Sequence, residues 1–204
     1  MKKQISIVAI MLVILVCLVG CSNTNSNKNN SDSGDNQKQV ENLSYSAEEL
    51  LDKVISKAIE IDPDTEYGMS KLSGQKNVIN SDNLEDILGL TEEEFNSYID
   101  GAMESKPDDT WSPHSIVFVK VKDKTKTAEI AEKVVKNTSP YRFGCLKPAV
   151  IMGAYYGEYI VIIDSDEAEK DVVLKALEDV IGTETTKITR DNDWNTSFFD
   201  FDEE

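Results

Sequence analysis

The 204-residue chain carries 38 acidic against 21 basic side chains, a formal net charge of -17. A surface this acidic repels phosphate backbones and anionic headgroups, which excludes binding nucleic acid or a membrane face through bulk charge. With one histidine, a multi-histidine metal site within one chain is excluded as well.

Met1-Lys2-Lys3 opens the chain with positive charge, and Ile5 to Val19 is nearly unbroken apolar sequence. That run has the length of a secretory signal and falls short of the roughly 20 residues a spanning helix needs. It closes on Leu18-Val19-Gly20-Cys21, which reads as a lipobox: small Gly20 at the cleavage position, then a thiol to carry a thioether-linked diacylglycerol. Residues 1–20 are therefore expected to be a lipoprotein signal, with the mature chain held by lipid on Cys21 at the extracytoplasmic face of the cell membrane. Cys17 leaves with the signal and Cys21 is acylated, so Cys145 stands alone and no intramolecular disulfide is expected.

Residues 21–42 are rich in Asn, Ser, Asp and Lys and carry almost no apolar surface to set against ordering entropy. They predict a flexible polar tether, of which Ser22 to Gln39 would form a coil of roughly 20–25 Å end to end. A single domain is expected over 43–182. Ser46 and Glu49 form a capping-box pattern, Tyr45 and Leu50 suit a hydrophobic staple, and Leu50 to Ile59 recur at helical spacing, predicting a helix over 47–60. Residues 62–80 read mostly as loop, with a short strand near Tyr67–Leu72. A short helix over 82–88 ends at Gly89, and Thr91 with Glu94 repeats the capping box.

The segment 95–103 fits a helix by period, although Ile99 and Met103 also share one face of an extended strand. A strand follows over 116–122, then a helix to about Asn137 burying Ala128, Ala131, Val134 and Val135. Ala149–Tyr155 and Tyr159–Asp164 form a hairpin about Gly157. Ile160 to Ile163, apolar on both faces, predicts a central strand covered from both sides. Asp166 and Glu169 cap a last helix that ends at Gly182. Residues 183–204 read as an acidic aromatic tail without fixed structure.

Three blocks carry a resemblance: Leu88-Gly89-Leu90-Thr91-Glu92-Glu93-Glu94-Phe95, Ile116-Val117-Phe118-Val119-Lys120-Val121-Lys122-Asp123 and Tyr156-Gly157-Glu158-Tyr159-Ile160-Val161-Ile162-Ile163. Together they resemble bacterial lipoproteins of the domain of unknown function family 4358, over about 140 residues. The chain departs from that pattern at 105–114 and after Gly182. The resemblance implies that 95–104 is extended and that two ββα units follow one another. It implies no activity. The expected fold is α+β: an antiparallel sheet of three or four strands, a ββα-ββα repeat, packed by amphipathic helices.

Few residues suggest chemistry. His114 reads as an exposed loop residue and Cys145 as a semi-buried loop thiol. Asp191-Asn192-Asp193 begins like a calcium loop, but Thr196 replaces the required Gly; Asp62-Pro63-Asp64 fails the same way at Tyr67. No catalytic residue, metal or cofactor is expected. Tyr141, Arg142 and Phe143, around one of two arginines, form a candidate recognition loop for an anionic or sugar group, against an ordinary crossover loop. Trp194, Phe198, Phe199 and Phe201 form a candidate docking tail. The expected role is a non-enzymatic binding or accessory module of the cell envelope, partnered by an envelope protein or cell-wall ligand. The alternatives are a carboxylate-based hydrolase and a lipoprotein that docks through its tail.

Overall fold

The computed structural model describes residues 44–63, 75–107, 112–191 and 194. It is an α+β domain of helices on a six-stranded antiparallel sheet. In chain order the elements are α1 (Ala47–Ile61), β1 (Gln75–Val78), α2 (Leu84–Leu88), α3 (Glu92–Tyr98), β2 (Ile99–Lys106) and β3 (Ser115–Val121). After a 3-10 turn at Lys124–Lys126 come α4 (Thr127–Asn137), β4 (Val150–Tyr156), β5 (Tyr159–Ser165), α5 (Glu167–Ile181) and β6 (Thr186–Thr189). The strand order is β1-β2-β3-β5-β4-β6.

Side-chain caps start α1, α3 and α5 where the pattern places them, while α2 and α4 begin without one. Ser46 Oγ accepts from Glu49 N at 3.1 Å while Glu49 Oε2 accepts from Ser46 N at 2.8 Å, a complete capping box. Thr91 and Glu94 do the same for α3, and Asp166 Oδ1 accepts from Glu169 N at 2.8 Å to start α5. Gly89 and Gly182 end α2 and α5 in the left-handed conformation, at φ 60° and 76°. Tyr45 is tied to β5, its N–H donating to the Tyr159 hydroxyl at 2.8 Å.

Alternation along the strands divides the core into two layers. Ile116, Phe118, Val161 and Ile163 face α1 and α5, where they meet Leu50, Leu51, Val54, Val173 and Leu177. Val117, Val119, Ile160 and Ile162 face the opposite layer with Leu88, Ile130, Val134 and Trp194. Every residue of β5 is buried, as its two apolar faces predict. Burying each such aliphatic side chain contributes about 1.5–3 kcal/mol, so the central strands anchor both layers.

Several expectations change. The sheet has six strands, not three or four, because β1 and β6 pair onto the outer edges of β2 and β4. Each edge strand is four residues with an exposed–exposed–intermediate–exposed pattern, so neither carries an apolar signal. Two ββα units do follow one another, but α4 and α5 pack on opposite faces of the sheet. In the ambiguous segment the helix ends at Tyr98 and the chain turns extended at Ile99. Ladder bonds to β1 on one side and β3 on the other hold β2 straight against its helical period. In α4 Ile130 is buried and Ala128 is exposed. The expected strand at 67–72 lies outside the described residues.

The tail is also revised. Residues 186–189 form β6, and Thr185 donates from N and Oγ1 to Glu178 Oε1 at 3.2 and 3.0 Å, pinning the turn after α5. Trp194 is 4% exposed and its indole N–H donates to the Pro148 carbonyl at 2.9 Å. It is a core residue and is not presented for docking. Phe198, Phe199 and Phe201, like the lipobox residues Leu18 to Cys21, lie outside the described residues.

Candidate functional site

Polar side chains gather at one end of the sheet, where β2 and β5 finish and β3 begins. The register sets Ser115 opposite Asp164 and Glu104 opposite Val117. Glu104, Ser115 and Asp164 thus share the α4 face, continuing the rows of Ala102, Val117 and Ile162.

Arg142 enters this row from the loop after α4. Its Nε donates to Asp164 Oδ2 at 3.0 Å, its NH2 group donates to the same oxygen, and its NH1 group donates to Glu104 Oε1. Ser115 Oγ donates to Glu104 Oε1 at 3.0 Å and Asn77 Nδ2 to Glu104 Oε2 at 3.4 Å. The side chains of Arg142, Glu104 and Asp164 are 6%, 2% and 1% exposed. Burial pushes the Glu104 carboxyl up, but the charge and hydrogen bonds of Arg142 and the Ser115 hydroxyl carry it below the ordinary range. Burial raises Asp164 above its ordinary value, and Arg142 offsets only part of that. Two carboxylates thus share one guanidinium that stays charged against its own burial.

The Arg142 side chain is 6% exposed, and its guanidinium is engaged with Glu104 and Asp164 and lies 4.4 Å from the Phe143 ring centroid. Tyr141 points out, 58% exposed, with Lys147 Nζ 4.6 Å from its ring centroid. Cys145 is exposed, not semi-buried.

His114 corrects another expectation. It immediately precedes β3, its side chain is only 17% exposed, and its Nδ1 meets Glu169 Oε2 in the first turn of α5. Asp166, the cap of that helix, lies beside them. Among the described residues His114, Asp166 and Glu169 are the group whose ligand atoms all lie within 4.8 Å of one another, close enough that they could hold a metal ion. The sequence marks Asp166 and Glu169 as a cap; nothing local marks the histidine 55 residues away that faces them.

Grooves open on the described surface. One of about 430 Å³ runs along the outside of α1 past Tyr45, Asp52, Lys57 and Val180. Another, about 330 Å³, lies between the start of β4, the start of α5 and the end of β6, with Glu167, Lys170 and Arg190 on its walls. Comparison with protein-family models, with curated proteins and with solved structures gives no match. No helix among the described residues is long and apolar enough to cross a membrane.

Proposed function

We propose that the protein is a lipid-anchored extracytoplasmic lipoprotein whose domain is a non-enzymatic binding or accessory module of the cell envelope. The observation that carries the anchor is Leu18-Val19-Gly20-Cys21 directly after the apolar run. The resemblance to the lipoproteins of family 4358 agrees with it and brings no activity.

Two features of the fold support the binding reading. Helices cover both faces of the sheet, which leaves the usual place for a cleft filled. Glu104 and Asp164, the carboxylates gathered on the sheet, share Arg142 in the interior, whereas a hydrolytic pair must flank a substrate bond. The outer surface of the helices and the charged grooves remain open to a partner.

The test is a comparison of the full-length chain with Cys21→Ser, by labelling with a tagged fatty acid and by membrane fractionation. Label and membrane retention are expected in the parent and lost in the variant; equal labelling of both sinks the anchor. Cross-linked pull-down of the lipidated parent should then recover envelope components that Cys21→Ser fails to recover. Turnover against a hydrolase panel, abolished by one carboxylate change, would replace the binding reading with the hydrolase.

A further inference from the structure

We infer that His114, Asp166 and Glu169 form a binding site for a divalent transition-metal ion of the zinc type. The three donors come from two segments far apart in the chain, the residue before β3 and the cap and first turn of α5, and one ligand atom of each lies within 4.8 Å of the others.

The second observation is the state of Glu169. This residue is 3% exposed. Its Oε2 is taken by His114, while its Oε1 is sealed from solvent and accepts no hydrogen bond among the described residues. A buried carboxylate oxygen left without a partner carries its full desolvation cost. A His–Glu pair beside a helix cap accounts for Oε2 and for Asp166 Oδ1. It leaves Oε1 unexplained; Asp164 Oδ1 is likewise buried without a partner, but Glu169 Oε1 belongs to a side chain of the three-donor cluster, where a bound cation would satisfy it.

The position on the helix is consistent with this. Asp166 is the cap of α5 and Glu169 the third residue of its first turn, and a carboxylate oxygen of each lies near His114. The positive end of the helix dipole, about half a charge, opposes a cation, but two carboxylates outweigh it. The donor set defines the ion. One imidazole nitrogen with two carboxylate oxygens suits zinc or manganese, while calcium takes oxygen ligands throughout. Three protein ligands leave a coordination position for water, and Asp166 lies on the exposed side of the cluster.

The single histidine makes the site directly observable. The full-length chain, purified in detergent without an affinity tag and stripped with chelator, is titrated with Zn²⁺. The imidazole nitrogens are followed by NMR and the stoichiometry by calorimetry. One saturable equivalent is expected, with a shift of the His114 ring nitrogens that millimolar Ca²⁺ does not reproduce. Asp166→Asn keeps the helix cap, since Asn caps as well as Asp, yet removes a charged ligand. It and His114→Ala should each weaken binding at least about tenfold, the least that disturbing a metal's surroundings costs. An imidazole signal unmoved by Zn²⁺ overturns the site. So does binding that Asp166→Asn leaves unchanged, because that is diffuse attraction to a chain of net charge -17. Either result leaves the lipid anchor untouched, since the labelling of Cys21 is read separately.

Discussion

Glu104 and Asp164 meet the same guanidinium and shift in opposite directions. Glu104 is held below its ordinary value of 4.5, so its contribution to stability is complete above that value and is lost as pH falls through the depressed folded value. Asp164 is raised above its ordinary 3.8; its contribution is present below that value and lost as pH rises through the raised folded value. The acid limb of the parent protein is therefore shallower than Glu104 alone would make it. Glu104→Gln is expected to cost about 1–3 kcal/mol at neutral pH, the loss of charged hydrogen bonds in a buried place. Thermal melts carried from neutral pH into acid should show the gap between parent and variant narrowing once the pH drops below the ordinary carboxyl range. A gap that stays constant would mean Glu104 is not ionised in the fold. None of this was legible beforehand: Arg142 was visible as one of two arginines, but its partners lie 22 and 38 residues away.

The contact of α4 with β4 depends on Gly153. A Cβ added there would lie 2.2 Å from Val135 Cγ2, and Val135 is 1% exposed. Valine has little rotamer freedom in a helix, so it cannot swing aside. Gly153→Ala is expected to cost about 1–3 kcal/mol by overpacking. Paired with Val135→Ala it should cost less than the sum of the two single changes, a coupling measurable by chemical denaturation. Additive costs would place the helix farther from the strand than the structure has it. A glycine inside a strand does signal close approach of some neighbour; the identity of that neighbour is tertiary. The same holds for β2, where helical period is real up to Tyr98 and hydrogen-bonding partners on both edges decide the rest.

At the scale of the whole molecule, the C-terminal segment belongs to the fold as far as Trp194. Arg190 donates to the carbonyls of Val135 and Thr138 at the end of α4 and lies 4.9 Å from the Trp194 ring centroid, so it joins β6, α4 and the indole. Cutting after Gly182 removes β6 and this assembly, and the buried indole alone is worth about 3–5 kcal/mol. Cutting after Trp194 leaves all of it. Denaturant midpoints of the two truncations should therefore differ widely, with the longer chain near the parent. Equal midpoints would show that β6 and Trp194 add nothing. The longer truncation is also the one that tests docking through Phe198, Phe199 and Phe201 without unfolding the domain.

What the sequence determined by itself was local. The capping boxes at Ser46 and Thr91, the amphipathic faces of α1 and α5, the glycine stops and the doubly apolar β5 all depend on residues within a turn or two of one another. The expectation of a lipid anchor likewise needs only four consecutive residues after an apolar run. The tertiary structure decided what depends on distance along the chain. It paired two short polar strands onto the sheet edges, sent α4 and α5 to opposite faces, turned Arg142 inward and set His114 against Glu169. Hydrophobic period reports which side of an element is buried. It does not report which polar group from another element shares that burial, and here both polar clusters are made of such meetings.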